Sequence, residues 1–195
     1  MKKLLIGFNL VVLLICPIQV HAGLPLGTIQ AHVNKALEVL RDPALKGALA
    51  GETKKEKLRA IADNMFDFAV LSRLTLGRNW KKLNSDQRKE FINLYRGVLE
   101  EAYMDKIMAY TEEKVVFDKE TMLSDKKAEV QSRIITGSGE IPVHYRAIMR
   151  NGKWKVYDVI VEGVSVVKNY RSQFREILMK KSPEEMLNIL RKKED

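Results

Sequence analysis

Two changes of hydrophobic period predict an α+β fold, with helices packed over a four-stranded antiparallel sheet. Apolar residues recur every three to four positions from Thr28 to about Tyr110, every second position from Val115 to Ile160, and every three to four again from Val164. Asn151-Gly152 joins the last two alternating runs as a hairpin, and Gly137 and Gly139 mark the turn before it. Consecutive antiparallel strands between helical segments bury one sheet face against those helices.

The 195 residues suit one domain with an N-terminal helical extension. Apolar residues make up 46%, and 34 Lys and Arg against 25 Asp and Glu leave a charge of +9. That mixture supports a packed core and argues against wholesale disorder. The single cysteine, Cys16, excludes an intrachain disulfide and a Cys-rich metal site.

Residues 1–22 read as a secretory signal peptide. Lys2 and Lys3 precede an apolar run from Leu4 to Cys16, and Val20-His21-Ala22 sets up cleavage after Ala22. The run is short for a membrane span, and Ile15 stands where lipidation at Cys16 would need a small residue. A cysteine-free, exported, basic chain is expected in the periplasm.

The first helix carries Ile29, Val33, Leu37 and Leu40 on one stripe and ends near Asp42 and Pro43. After a linker from Lys46 to Glu52, Thr53 and Glu56 read as a capping box ahead of Leu58, Ile61, Met65 and Phe68. Asn84 and Gln87 open a longer helix with a broad apolar face running from Phe91 to Ile107. Such a face belongs to a helix packed on two sides or to one that lines an apolar cavity. Residues 23–110 are thus mainly helical and 111–162 form the sheet. Residues 163–195 return to helix, from Gly163 and again from Ser182-Pro183 with Glu185, and the charged end from Arg191 is expected to fray.

Catalytic motifs are lacking. His32 and His144 fall in distant elements without metal-pair spacing, and no nucleophile elbow, P-loop or dinucleotide fingerprint occurs, so neither a metal nor a cofactor is expected. Asp158, inside a strand alternation, has two readings. It could be the general base of a roll-type isomerase or dehydratase acting on a small apolar substrate. Otherwise it pairs with a basic neighbour or accepts backbone hydrogen bonds at the sheet's end, since an unpaired buried carboxylate costs several kcal/mol. His144 and Arg146 share the face opposite Val143 and Tyr145 and are expected to meet solvent. The lysines are scattered among acids, which argues against nucleic acid as a partner and leaves solubility or a weak attraction to anionic membranes.

Several segments carry a family resemblance: Phe66-Asp67-Phe68, then Leu76-Gly77-Arg78-Asn79-Trp80-Lys81-Lys82-Leu83 with Gln87 and Phe91, then Trp154-Lys155-Val156-Tyr157-Asp158-Val159, Glu162-Gly163-Val164-Ser165 and Asn169-Tyr170-Arg171. In this order they resemble the MlaC family, also known as the toluene-tolerance auxiliary proteins. The resemblance implies a curved sheet of the nuclear-transport-factor-like roll type. It implies a non-enzymatic periplasmic phospholipid carrier that maintains outer-membrane lipid asymmetry. The implied partners are an inner-membrane ATP-driven lipid transporter and an outer-membrane lipoprotein–porin complex.

On that reading, the expected apolar lining is Val130, Ile134, Val143, Tyr145, Ala147, Val156 and Ile160 from the strands. Phe66, Leu74, Trp80, Leu94 and Val98 would face them from the early helices, and Val167, Tyr170 and Phe174 from the late one. The same positions also suit an ordinary filled core, including that of a scaffold protein, because periodicity does not distinguish the two. Arg78, Lys81 and Arg171 stand near element ends, as headgroup contacts or as solvated surface charge.

Overall fold

A computed structural model describes residues 24–45, 50–110 and 112–194. The proposed leader with Cys16 and its cleavage site, the linker residues 46–49 and the last residue lie outside the described residues. Helix α1 (Pro25–Arg41) begins with proline in its first turn, where a missing N–H costs nothing, and stops before Asp42 and Pro43. Helix α2 (Gly51–Met65) starts after Ala50 without a side-chain cap, so the box expected from Thr53 and Glu56 is not made.

The helix expected to continue through Phe68 instead breaks at Phe66. That residue is extended (φ −94°, ψ 149°) and forms a parallel bridge with Val156. The Asp67 N–H then donates to the Val156 carbonyl at 2.8 Å. The Asp67 carboxylate accepts the Val70 N–H at 2.9 Å, starting a new helix, α3 (Phe68–Leu76). A 3-10 segment, Gly77–Lys82, leads to α4 (Ser85–Met108), which has the capping box expected from Asn84 and Gln87.

Strands β1 (Lys114–Ser124), β2 (Lys127–Thr136), β3 (Gly139–Arg150) and β4 (Lys153–Val161) pair antiparallel in chain order. Asn151 and Gly152 have φ of 49° and 73°, the left-handed pair that a two-residue hairpin requires. Glu162 and Gly163 repeat this geometry, with φ of 49° and 81°. The chain therefore folds back as a fifth strand, β5 (Val164–Ser165), before α5 (Val166–Lys180) begins. The sheet thus has five strands rather than four, because the residues read as the first helical turn are used for pairing. Helix α6 (Pro183–Glu194) has reciprocal Ser182 and Glu185 capping bonds of 3.2 and 2.8 Å. Arg191, expected to lie in a frayed end, is held by Glu90 and Glu184.

Strand β4 carries a bulge. Arg146 pairs with Asp158 and Ala147 with Val156, so Tyr157 is the extra residue. Trp154 and Val156 face inward, whereas Asp158 and Ile160 pair with Arg146 and His144 on the other face, and Val159 takes the inward place opposite Tyr145. The single alternation read from Trp154 to Ile160 is therefore interrupted.

Two apolar clusters result. One joins α3, α4, α5 and α6 around stacked and edge-on rings of Phe91, Tyr95 and Phe174, with centroids 5.2 to 5.4 Å apart. The other joins α1 and the end of α2 to the inner sheet face through Ile29, Met65, Ala128, Val130, Ala147, Trp154 and Val156. Phe66 packs against both. Because Asp67 caps α3 and also pairs with Arg150 at 3.1 Å, Asp67→Ala is expected to lower the unfolding free energy by about 1–2 kcal/mol in urea denaturation. Asp67→Asn, which keeps an acceptor, is expected to cost less.

Candidate functional site

The inner sheet face lies under a helical roof whose cover is unequal along its length. At one end the α1 backbone is fixed by the Leu26 N–H donating to Glu120 at 2.7 Å. At the other, Arg41 donates to the Glu113 carbonyl at 2.8 Å. Helix α1 thus runs along β1 from residue 120 back toward residue 113. Helix α4 is tied beside α2 by Arg96–Asp63 at 2.8 Å and by the Arg59–Glu100 pair.

Burial falls along this roof. Ile29 is 2% exposed and sits over the closed end, with Ala128, Ala147, Trp154 and Val156. Val33, Leu37 and Leu40, farther along the same stripe, are only half-buried. Helix α4 behaves alike: after Val98 it has no buried residue, with Leu99, Tyr103 and Met104 half-buried and Ile107 exposed. Beneath the Arg41 end of α1, the inward-facing Val115, Phe117, Ile134 and Ile141 are also half-buried. The interior is mainly apolar, with Ser132 and the Glu120 carboxylate among its inward residues, closed at the Trp154 end and incompletely covered at the Ile134 end.

The expected lining residues divide among these regions. Leu94, Val98, Val167 and Phe174 are buried in the helical cluster, with Leu74, Trp80 and Tyr170 on its margin. Val130, Ala147 and Val156 form the closed sheet end, and Tyr145 borders it. Val143 is buried on the same inner face, across from Ser132, and Ile134 lies at the open end. Ile160 is buried but lies on the opposite face from Val156, because of the bulge. Val33, with Leu37 on the same α1 stripe, and Phe117 and Val159 are further candidates; Val33, Phe117 and Val159 pack against the inner-face cluster. The first two were legible as a helical stripe, but nothing in the sequence said which strand residues the stripe covers.

The basic candidates separate as well. Arg78 and Lys81 are exposed on the 3-10 segment. The Arg171 guanidinium donates to the Leu74 carbonyl at 2.9 Å, close against Gly77, and so closes the end of α3.

Asp158 is 3% exposed and fully engaged. One carboxylate oxygen accepts the Ser165 hydroxyl at 2.7 Å and the other the Val167 N–H at 3.1 Å, with Arg146 at 3.8 Å. It orders the start of α5, the second of the two sequence readings. Among the described residues, no cluster of three His, Cys, Asp or Glu side chains could hold a metal.

The phenols report a desolvated interior. Burial pushes Tyr145 up to about 12, although its surface is not fully covered by protein. Burial also raises Tyr95, Tyr103 and Tyr170. Their hydroxyls stay neutral at ordinary pH and add no charge to the buried regions.

These features define a mixed α+β roll with an apolar interior open at one end. A family model described as MlaC protein matches residues 30–192, and the chain belongs to that family. It is similar to the Haemophilus influenzae intermembrane phospholipid transport system binding protein MlaC, at 27% identity over 99 residues, covering 48% of this chain and 46% of that protein. It is also similar to the Pseudomonas putida toluene tolerance protein ttg2D, at 26% identity over 101 residues, 51% of this chain and 47% of that one. The matched stretch spans about half the length of these curated relatives. The fold is shared with a Ralstonia solanacearum phospholipid-binding protein solved in complex with a phospholipid, at a TM-score of 0.77 and 18% identity over 88% of this chain and 97% of that one.

The raised Tyr145 phenol has a consequence for stability. Since folding raises its value from 10 to about 12, its contribution is complete below pH 10 and is lost as pH rises toward 12. Urea denaturation across that range is expected to show a falling stability that Tyr145→Phe flattens, with tyrosinate absorbance following the same ionisation.

Proposed function

We propose that this protein is a soluble periplasmic phospholipid carrier that moves lipid between the outer and inner membranes and so maintains outer-membrane asymmetry. The observation that carries the reading is the burial gradient along one apolar stripe, from Ile29 sealed at the closed end to half-buried Leu37 and Leu40 at the open end. Family membership and the names of the relatives support the same ligand. Two acyl chains of roughly 15 methylenes each would lose on the order of 24 kcal/mol on entering water, at about 0.8 kcal/mol per methylene. A carrier must replace that loss with a dry apolar surface and leave the headgroup in water. The Ile134 end suits a chain entry of this kind, with Tyr145 and Val143 deeper in.

The carrier would load and unload at an inner-membrane ATP-driven transporter and an outer-membrane lipoprotein–porin complex. It would do no chemistry, and the engagement of Asp158 with Ser165 and Val167 supports this. Organic extraction of the purified protein followed by mass spectrometry is expected to give close to one phospholipid per chain. A protein that is empty and takes up no lipid from vesicles overturns the reading. Ile134→Asp, a charge at the half-buried open end, is expected to cut the lipid load about tenfold or more while the chain stays folded. Asp158→Asn is expected to lower stability and leave the load per folded chain unchanged.

A further inference from the structure

Outside the apolar interior, a cleft of about 540 Å³ lies between α1, α2 and the β3–β4 turn. Its walls carry four nitrogen bases, His32, Lys35, Lys153 and Lys155, and no carboxylate is among its lining residues. His32 and Lys35 share one face of α1, and Lys153 and Lys155 flank Trp154. Ile29, Met65 and Trp154 belong to the closed end of the interior, so a ligand here would sit at the far end of the sheet from the Ile134 opening.

The charges are poised unequally. The Lys155 ammonium donates to the Asn64 carbonyl near the end of α2, which holds it at the cleft. Lys35 and Lys153 are exposed and have no acidic partner within ion-pair distance among the described residues. Half-buried His32 is held below its ordinary pKa, first by burial and then by Lys155 and Lys35. Lys35 faces it from α1 and Lys153 and Lys155 from the β3–β4 side, while α2 adds only the uncharged Ala60, Ile61 and Asn64. Converging cations that already repel a proton from an imidazole create a site short of negative charge.

We propose that this cleft binds a phosphate group, either as a free anion or as the phosphate of a lipid headgroup, through Lys35, Lys153 and Lys155 with His32 at its wall. A compact, multiply charged oxyanion suits three ammonium groups in a cleft of this size, where each lysine acts as a point charge. A bound phosphate favours the imidazolium, so binding tightens as pH falls through the His32 titration, and the His32 pKa rises by the same linkage. The site is independent of the carrier reading, since it takes no acyl chain.

NMR of the purified protein, with inorganic phosphate titrated against chloride at constant ionic strength, tests the proposal. The His32 ring signals are expected to shift to saturation and the His32 pKa to rise. His144, beside Glu129 on the outer sheet face, is expected to stay unchanged. The double variant Lys35→Ala/Lys153→Ala is expected to bind about tenfold or more weakly with an unchanged unfolding midpoint.

A second arm uses phosphatidylcholine vesicles with and without phosphatidylglycerol. A lysine-dependent His32 response to phosphatidylglycerol without one to inorganic phosphate assigns the headgroup as ligand, and saturation by inorganic phosphate assigns the free anion. The proposal is overturned if neither probe moves His32 beyond the chloride control, or if the double variant responds like the parent. Lipid extracted from the same samples keeps the carrier reading separate: an empty interior with an intact His32 response defeats the carrier alone.

Discussion

The bulge at Tyr157 is the constraint on which the rest of the architecture depends. Without it, Asp158 and Ile160 would continue the inward row begun by Trp154 and Val156, and a carboxylate would enter the apolar interior. With it, the first half of β4 serves the inner face and the second half turns Asp158 toward Ser165, Val167 and Arg146. The carboxylate then orders the start of α5, and α5 carries Val167 and Phe174 into the helical cluster. One inserted residue thus keeps a charge out of the interior and uses it to attach the helical bundle to the sheet.

Phe66 and Asp67 make the complementary attachment. The backbone leaves α2, bonds to Val156 and enters α3 within two residues, so the sheet edge at β4 is covered by chain as well as by β5. Phe66 can touch both apolar clusters because it sits at this crossing. The two attachments meet on one strand, which is why Val156 is fully buried although only the bridge to Phe66 lies on one side of it.

Much of this was legible in the sequence, and the exceptions share a cause. The α1 stripe, the Asn84–Gln87 and Ser182–Glu185 caps and the Asn151-Gly152 turn are set by neighbours a few residues apart, and each formed where its residues indicated. Features set by tertiary partners did not show. The break at Phe66 depends on Val156, far along the chain, and overrides the helical pattern from Leu58 to Phe68. The fifth strand depends on Glu162 adopting a left-handed conformation, which a glutamate does not announce. The bulge hides inside an alternation that looks regular, so Ile160 reads as inward. Apolar lining residues were recognisable by type, but their division between a filled helical core and a partly open sheet end is a matter of which helix covers which strand.

That division has an energetic reason. A rigid dry void of about 1,000 Å³, enough for acyl chains, would cost roughly 24 kcal/mol at ~24 cal/mol per Å³, more than the ~5–15 kcal/mol by which a domain is usually stable. On the proposed carrier function, an empty protein has to let its interior close and a loaded one to reopen, which is easiest away from the parts that hold the fold. Here the packed aromatic cluster of α3 to α6 and the closed Trp154 end supply the fixed parts. The least packed stretches are α1 beyond Ile29, where Val33, Leu37 and Leu40 are half-buried, and α4 beyond Val98, where no side chain is buried. Helix α4 is tied to α2 on both sides of Val98, by the Asp63–Arg96 and Arg59–Glu100 pairs. Ionic ties of this kind tolerate small displacements better than interlocked side chains do, since Coulomb attraction falls gently with distance while packing contacts are lost within an ångström.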